Sequence, residues 1–171
     1  GKIKAAEYAR INKIPYLGVC LGLQIATIEF CRNVLGMENA NSTEFDENTP
    51  QPAVVFMPEI SKTHMGGTMR LGTKPTPFLV EDCKIKRLYG NKTYVDERHR
   101  HRYEVNIAFK DQFENKGMIF SGLSPDNKLP EIIELKNHPW FIGVQFHPEF
   151  KSRPLAPHPL FSSFIKAAKK S

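Results

Sequence analysis

The chain lacks the features that mark membrane, fibrous and disulfide-stabilised proteins. No apolar run approaches membrane-spanning length, so we expect no membrane association. The three cysteines are an odd number without regular spacing, which argues against a disulfide framework and favours a reducing, cytoplasmic location. There is no internal repeat and no low-complexity tract. The 171 residues, 40% hydrophobic and 25% charged, are therefore typical of one globular domain with a real core.

Charge of one sign does not dominate either, because the formal net charge of +6 is moderate for this length. The basic residues are densest at 98–102, where arginine and histidine alternate. In a strand the arginines would share one face, which is typical of a phosphate or carboxylate contact or of a solvated basic surface. Only Tyr103 follows as an aromatic for base stacking, so we expect no nucleic-acid binding.

One cysteine lies where a strand is predicted to turn into a helix. Residues 15–19 form a short apolar run that begins at Pro15, which predicts a buried strand. Residues 21–35 carry apolar side chains at helical spacing, and Gly36 provides a helix end. Cys20 is then at the carboxyl end of the strand and at the helix N-terminus, where the helix dipole favours a thiolate.

Glycines flank this cysteine on both sides. Gly18 and Gly22 lack Cβ atoms, and we expect both to relieve crowding in a strained turn. The arrangement is that of the nucleophile elbow of G-x-S-x-G hydrolases, with cysteine in place of serine. The backbone N–H of Leu21 would then point at a developing oxyanion. The alternative is that Cys20 is a small buried hydrophobe, which is how we interpret the other two cysteines.

A histidine and an acid follow a second apolar strand, predicted at 141–146. His147 and Glu149 are two residues apart, so on extended chain they point the same way. Glu149 can hold the imidazole in one tautomer while the other ring nitrogen faces Cys20. Pro148 ends the strand and stiffens the pair. Cys20, His147 and Glu149 are therefore the candidate nucleophile, base and orienting acid of an acyl-transfer site.

These elements predict an α/β domain with a mainly parallel central sheet flanked by helices and with a cysteine nucleophile elbow. Strands at 53–58 and 98–105 would add smaller antiparallel pieces. Residues 151–171 contain a short helix at 161–168 and are expected to be a packing and linker element. A helix at 1–12 leads directly into the nucleophile strand, without the strands that usually come first in such a sheet. We therefore expect the chain to be a fragment of a longer polypeptide.

The elbow and the His-Pro-Glu word resemble the class I glutamine amidotransferases, which hydrolyse glutamine through a cysteinyl thioester. The elbow alone does not separate the members of that class, such as GMP synthetase and anthranilate synthase. Longer words are more specific and are similar to the C-terminal glutaminase domain of the CTP synthase family. They lie, in the order of that family, at 41–46, 65–72, 97–106 and 147–154. The resemblance implies that residues 1–171 are a partial glutaminase domain.

The resemblance implies a role in pyrimidine nucleotide biosynthesis. In this family a synthetase domain of the same polypeptide phosphorylates UTP with ATP and Mg²⁺. The glutaminase domain sends ammonia through an internal channel to make CTP, and GTP activates glutamine hydrolysis. The parent enzyme is expected to be a homotetramer. No cofactor and no metal is expected on this chain, because the family's ATP, UTP and magnesium sites lie on the synthetase domain.

The resemblance also assigns a pocket for L-glutamine. Glu44 matches the acid that reads the amino group of glutamine, and Arg102 matches the residue that contacts its α-carboxylate. A free amino acid carries both charges, so one anion and one cation suit it. Without the resemblance, Glu44 would be interpreted as a solvated loop acid. The pocket is completed by four consecutive residues, Leu21, Gly22, Leu23 and Gln24.

The sequence before Leu21 and the segment at 65–72 bear on the oxyanion hole and on regulation. In the family a second oxyanion donor comes from a Gly-Gly-containing loop before the residue that matches Gly1, so Leu21 alone should give a weaker oxyanion hole.

Segment 65–72 is Gly-rich but lacks the lysine and spacing of a P-loop. It is interpreted as a mobile lid, which the family links to GTP activation, or as a plain hairpin turn.

Other functions remain open from the residues. The same elbow serves γ-glutamyl hydrolases and cysteine peptidases, although a peptide substrate would not need both Glu44 and Arg102. The chain could instead be another class I amidotransferase subunit. It could also be a non-catalytic regulatory fragment that binds nucleotide through the arginines of 98–102.

Overall fold

The computed structural model describes residues 1–57 and 69–170. Within these ranges the α-helices are α1 (Lys2–Ile11), α2 (Leu21–Asn33), α3 (Lys84–Leu88), α4 (Lys110–Asn115) and α5 (Pro159–Ala168). The strands are β1 (Tyr16–Val19), β2 (Ala40–Ser42), β3 (Gln51–Phe56), β4 (Arg70–Pro77), β5 (Tyr94–His101), β6 (Tyr103–Val105), β7 (Met118–Leu123), β8 (Pro130–Leu135) and β9 (Phe141–Val144). Single 3₁₀ turns occupy Ile107–Phe109 and Pro148–Phe150. The helix, strand and helix predicted from the first 36 residues are confirmed, and Gly36 follows α2 with φ +71°.

Four strands form the central sheet, in the order β1-β9-β8-β7. Strands β1 and β9 run parallel, with Val19 opposite Val144. Strand β8 is antiparallel to both of its neighbours. The prediction of a mainly parallel sheet was wrong for the described ranges, where the sheet is mixed. The reason is that only short loops, 124–129 and 136–140, join β7, β8 and β9, and a parallel pair needs a longer crossover.

The two faces of this sheet are covered by different helices. Alternate residues on β8 and β9 point to opposite faces. Ile133 and Phe141 join a core with α2 and α4. Ile132 and Ile142 join a second core with α3 and α5. The α/β arrangement with helices on both faces is thus confirmed, and the carboxyl ends of β1 and β9 meet at one edge of the sheet.

Two smaller sheets lie beside this edge. Strand β3 pairs parallel with β2 and antiparallel with β6, and β4 pairs antiparallel with β5. The antiparallel pieces predicted at 53–58 and 98–105 are confirmed in part, because β3 ends at Phe56 and residue 58 lies outside the described residues. The second piece is two strands in different sheets, with β5 ending at His101 and β6 beginning at Tyr103. Along β5 exposed and buried residues alternate, so the arginines face outward and the histidines inward.

The chain termini pack onto the same framework. Helix α1 lies on α2, where Arg10 and the buried Glu29 form a salt bridge of 2.7 Å. Helix α5 places Leu160 in the second core and Phe164 against Trp140, at a ring separation of 5.4 Å. The packing role expected for the segment after 151 is therefore confirmed. Among the described helices, none has the length and apolar character needed to cross a membrane.

Candidate active site

The turn between β1 and α2 places Cys20 at the edge of the central sheet. Its backbone has φ +51° and ψ −105°, a region that costs a non-glycine residue on the order of 1–3 kcal/mol. The Cys20 N–H donates to the carbonyl of Val144 at 2.8 Å and so extends the β1–β9 pairing by one residue. Helix α2 begins at the next residue, Leu21. The sharp strand-to-helix turn that the sequence predicts is present.

The two flanking glycines have different structural reasons. A Cβ on Gly18 would lie 2.7 Å from the carbonyl carbon of Gly22 and 2.9 Å from the backbone nitrogen of Leu23. Gly18 is therefore required by the close approach of β1 and α2. A Cβ on Gly22 would meet only the Tyr16 hydroxyl, at 3.8 Å. The expectation of crowding is confirmed at Gly18 and wrong at Gly22, whose carbonyl accepts the Tyr16 hydroxyl at 2.7 Å.

The predicted base and orienting acid are in contact just beyond β9. Nδ1 of His147 lies 2.6 Å from Oε1 of Glu149. A carboxylate only accepts hydrogen bonds, so Nδ1 carries the ring proton and Nε2 is left as the acceptor. Among the described residues Nε2 of His147 is buried and has no hydrogen-bond partner. The histidine is thus held in the tautomer that a general base requires.

Strand β5 and the turn after β9 hold this histidine in place. The His147 N–H donates to the carbonyl of Arg98 at 2.8 Å. The imidazole stacks on Phe150 with ring centroids 5.1 Å apart. The Arg98 guanidinium lies 5.7 Å from the centroid of the same phenylalanine, within cation–π range. One arginine of the 98–102 run therefore supports the candidate base.

The thiol of Cys20 has polar neighbours from three elements. In the described parts of the chain these are the Leu21 N–H, Nε2 of Gln145 at 3.5 Å and the carbonyl of Arg100 at 4.0 Å. His147 is not among these partners. Nucleophile–base hydrogen bonds are often long in free enzymes and tighten when substrate binds. The structure brings the two groups to the same sheet edge without a direct bond.

Burial is the main influence on this thiol, and it raises the pKa of Cys20. The hydrogen bonds from Leu21 and Gln145 lower the pKa, and the nearby carboxyls of Glu104 and Glu149 raise it. The expectation that the helix N-terminus favours a thiolate is therefore outweighed by desolvation. The sulfur keeps its proton until a base accepts it, which gives His147 a defined task.

A cleft of about 330 Å³ contains the thiol and is within the size range of small-ligand sites. It is lined by Cys20, Leu21, Gln24, Glu44, Met69, Arg100, His101, Arg102 and Tyr103. Glu44 is exposed and Arg102 is half-buried. The structure thus brings the predicted acid and the predicted arginine into the cleft of the candidate nucleophile.

Three of the predicted pocket residues have other contacts. The side chain of Gln24 is buried, and its Nε2 donates to the carbonyl of Tyr103 at 3.0 Å and to Oε1 of Gln145 at 3.2 Å. Leu23 is fully buried in the first core. Gly22 and Leu23 do not line the cleft, so the structure does not bring them to the candidate pocket.

Sequence reasoning missed Gln145, which directly follows β9. Its side chain is fully buried and contacts the sulfur of Cys20. The signal was its position, because an amide at the end of an apolar strand is buried only where it finds hydrogen-bond partners. The sequence did not show that the partner would be the candidate nucleophile.

A buried chain of titratable groups beside the cleft was also missed. Nδ1 of His99 lies 2.9 Å from Nε2 of His101, and Nδ1 of His101 lies 3.2 Å from Glu104. Arg70 pairs with the buried Glu131 at one end of this chain. Burial lowers the pKa of His99 to about 2 and of His101 to about 3, and it raises that of Glu104. The two histidines are therefore neutral at neutral pH, and burial favours the protonated form of Glu104.

The segment interpreted as a lid or a hairpin turn is described only in part. Residues 65–68 lie outside the described residues. Met69 lines the cleft, and β4 begins at Arg70. The end of this segment is thus at the candidate site, and the choice between lid and turn stays a prediction.

Comparison with known proteins defines the class. A family model described as glutamine amidotransferase class-I matches residues 1–167. The chain belongs to this family, as the cysteine elbow and the histidine–glutamate pair indicate.

The particular relatives are CTP synthases. The chain is 64% identical over 178 residues to CTP synthase of Pelagibacter ubique. The matched region covers 99% of this chain and 32% of the relative. It is 56% identical over 168 residues to CTP synthase 2 of Rattus norvegicus, with coverage of 98% and 29%. The chain thus spans about a third of the length of these curated relatives.

Solved structures agree with this. The glutaminase domain of Trypanosoma brucei CTPS, solved with bound acivicin, matches with a TM-score of 0.93 and 39% identity over 99% of this chain and 66% of that one. A putative GMP synthase protein from Thermoplasma acidophilum shares the fold, with a TM-score of 0.61 and 16% identity over 99% of this chain and 64% of that one. The predicted resemblance to a CTP synthase glutaminase domain is confirmed.

Proposed function

We propose that this chain hydrolyses L-glutamine through a cysteinyl thioester. The observation that carries the proposal is that Cys20, Glu44 and Arg102 line one cleft. Glutamine carries an ammonium and a carboxylate on its α-carbon, and Glu44 and Arg102 supply the opposite charges. The side-chain amide is then the part of the substrate that reaches Cys20, the strongest potential nucleophile of the cleft.

In the acylation half, Nε2 of His147 accepts the thiol proton as the sulfur of Cys20 attacks the amide carbon. A carbon–sulfur bond forms, and the carbonyl electron pair moves to the oxygen, which accepts the Leu21 N–H. When the tetrahedral species collapses, the carbon–nitrogen bond breaks and His147 returns its proton to the leaving nitrogen. Glu149 stabilises the imidazolium between these two transfers.

In the deacylation half, water cleaves the γ-glutamyl thioester. Nε2 of His147 takes a proton from the water as its oxygen attacks the thioester carbon. The carbon–sulfur bond breaks, and the sulfur of Cys20 recovers the proton. Glutamate leaves, and the net reaction converts glutamine and water to glutamate and ammonia.

For the whole protein, the proposal follows its relatives. Ammonia released at Cys20 passes to a synthetase domain, which aminates UTP to CTP with ATP and Mg²⁺. GTP is proposed as the activator of the glutaminase step, and a homotetramer as the assembly. The identity of 64% to a CTP synthase supports this role. ATP, UTP and Mg²⁺ are assigned to the synthetase domain and none of them to this chain.

The test is covalent labelling with acivicin, the compound bound in the trypanosomal domain. In the full-length polypeptide that carries this sequence, we expect one adduct at Cys20, protection by glutamine and no adduct on Cys20→Ala. Cys83→Ala is the matched control, because Cys83 is buried in the second core away from the cleft. An adduct that persists on Cys20→Ala would overturn the assignment of the nucleophile.

Substrate preference separates glutaminase from γ-glutamyl hydrolase. We expect Glu44→Gln and Arg102→Met each to raise KM for glutamine about tenfold or more, since a hydrogen bond to a charged group is worth about 1.5–3 kcal/mol. Labelling of Cys20 by uncharged iodoacetamide should be unchanged. Faster turnover of γ-glutamyl peptides than of glutamine would favour the hydrolase. Nucleotide binding without any thioester formation would favour the regulatory module.

A further inference from the structure

The buried amide of Gln145 is the side chain that packs directly on the candidate nucleophile. Gln145 lies one residue past β9, as Cys20 lies one residue past the parallel strand β1. Its backbone N–H donates to the carbonyl of Glu131 at 2.8 Å, so its main chain is fixed by β8. Its Nε2 lies 3.5 Å from the sulfur of Cys20. The mechanism above gives this contact no role.

The direction of this hydrogen bond follows from the neighbours. The carbonyl of Tyr103 can only accept, so the side-chain atom of Gln24 that contacts it at 3.0 Å must be the amide nitrogen. The same nitrogen lies 3.2 Å from the Gln145 amide, which must present its oxygen there. The other end of the Gln145 amide, its N–H₂ group, therefore faces sulfur.

The surroundings make this donor important. The sulfur is largely desolvated, and the carboxylate of Glu149 lies close enough to oppose a negative charge on it. The Leu21 N–H also donates to the sulfur, but in the proposed mechanism it donates to the substrate oxyanion instead. A second hydrogen-bond donor is therefore needed to stabilise the negative charge on the sulfur.

We propose that Gln145 is a catalytic residue that donates a hydrogen bond to the Cys20 thiolate, and that Gln24 is a positioning residue that fixes the direction of the Gln145 amide. This inference rests on the proposed function, since the thiolate is the form that attacks glutamine. The proton that leaves the sulfur goes to Nε2 of His147. The Gln145 N–H donates throughout and transfers no proton.

The test measures the thiol without glutamine. In the full-length polypeptide that carries this sequence, the rate of Cys20 alkylation by iodoacetamide is followed from pH 5 to 10 by peptide mass mapping. We expect Gln145→Leu to raise the apparent pKa of Cys20 by about one unit, which lowers alkylation at pH 7 about tenfold. Gln145→Glu should raise it further, because an oxygen replaces the donor. Gln24→Leu should give a smaller rise.

The controls separate this effect from loss of structure. Gln112→Glu changes an exposed glutamine of α4 in the same way and should leave the profile unchanged. The buried Cys31 and Cys83 report folding in every sample, because they become alkylated only if the core opens. An apparent pKa of Cys20 equal to that of wild type in Gln145→Leu, with Cys31 and Cys83 still protected, would overturn the inference.

If the Gln145 variants unfold, the inference can still be tested by NMR on the protein with Gln145 in place. The side-chain NH₂ resonances of Gln145 should shift with the ionisation of Cys20 and lose that pH dependence in Cys20→Ala. Resonances that do not respond to pH in wild type would overturn the inference. If wild type fails to hydrolyse glutamine but both readouts behave as expected, the proposed function fails and the Gln145–thiolate contact stands.

Discussion

At the residue scale, the candidate chemistry depends on which atom holds each proton. Glu149 accepts a hydrogen bond from the Nδ1–H of His147 and thereby leaves Nε2 to act as the base. The two side chains differ in exposure, at 18% for His147 and 47% for Glu149. Water can therefore replace part of what Glu149 does, whereas the imidazole of His147 is itself the group that accepts the thiol proton in the proposed mechanism.

We accordingly expect His147→Ala to lower kcat for glutamine hydrolysis by about 10²–10⁴-fold, the usual contribution of general acid–base catalysis. Glu149→Gln should cost less, because the histidine remains and only its orientation and the stability of the imidazolium suffer. Glutamate release at saturating glutamine measures both. Asp111→Asn, an exposed acid of α4, is the control. A greater loss for Glu149→Gln than for His147→Ala would contradict this ranking.

The residues that sequence reasoning found are those that belong to short contiguous words. Cys20 and the His147–Glu149 pair could be predicted because a turn and a strand end fix their local geometry. Glu44 and Arg102 came only from resemblance, since an exposed acid and one arginine among three carry no local signal. The role of Gln145 and the burial of the histidines of β5 depend on contacts between distant segments, which no local pattern reveals.

At the element scale, the site depends on how closely β1 and α2 approach at the elbow. Helix α2 is fixed from behind by α1, where both carboxylate oxygens of Glu29 accept from Arg10 at 2.7 to 3.1 Å. Asn33 donates to the same carboxylate at 3.0 Å. The elbow is therefore held between the strand in front of it and a buried ion pair behind it.

The glycine before the nucleophile should not tolerate even one methyl group. Gly18→Ala would push its Cβ to 2.7 Å from the backbone of Gly22, which cannot move without displacing the start of α2. We expect a loss of about 1–3 kcal/mol in the free energy of unfolding and reduced acivicin labelling of Cys20. Gly22→Ala is the matched control for stability, because its Cβ meets only a hydroxyl at 3.8 Å. Equal stability of the two variants would show that the elbow is not crowded.

Breaking the ion pair between α1 and α2 should destabilise the protein mainly because it leaves a buried charge without a partner. Arg10→Leu would leave the fully buried Glu29 carboxylate without its cation, so we expect a loss of about 3–5 kcal/mol in urea unfolding. The double variant Arg10→Leu, Glu29→Leu removes the buried charge as well and should recover much of that loss. A double variant less stable than Arg10→Leu alone would contradict the argument.

Helices and strands were predicted correctly where local spacing determines them. Strand direction was predicted wrongly where it depends on pairing between distant segments. The elbow helix and the alternation of β5 follow from spacing alone. Strand direction in the central sheet does not, because β1 pairs with β9 across most of the chain while β7, β8 and β9 pair with their sequence neighbours.

At the scale of the whole molecule, the central sheet and the two smaller sheets meet beside the candidate site. Strands β4 and β5 and the junction with β6 enclose the buried chain that runs from Arg70 and Glu131 through His99 and His101 to Glu104. These strands come from segments far apart in sequence. Their groups lose water only when the molecule assembles, so the pH dependence of folding reports on assembly as a whole.

The buried histidines and the buried glutamate should affect that pH dependence in opposite directions. Burial lowers the pKa of His99 from 6.5 to about 2 and that of His101 from 6.5 to about 3. Below pH 6.5 the unfolded chain therefore binds a proton at each histidine, whereas the folded chain does not. Their contribution to stability is complete above pH 6.5 and is lost as the pH falls. Burial and Glu131 raise the pKa of Glu104 from 4.5, so the folded chain keeps a proton that the unfolded chain releases above pH 4.5. That contribution grows as the pH falls toward 4.5.

Between pH 6.5 and 5 the two histidines outweigh the one glutamate, so the free energy of unfolding should fall with falling pH, by about 1.4 kcal/mol per pH unit for each net proton that the unfolded chain takes up. Glu104→Gln removes the opposing group, so its stability should fall more steeply than that of wild type over the same interval, whatever its stability at pH 7. Urea unfolding at pH 7, 6 and 5 measures both slopes, and Glu38→Gln, an exposed acid, is the control. If Glu104→Gln and wild type lose stability at the same rate, Glu104 is ionised in the folded protein and its charge is balanced by a protonated His101.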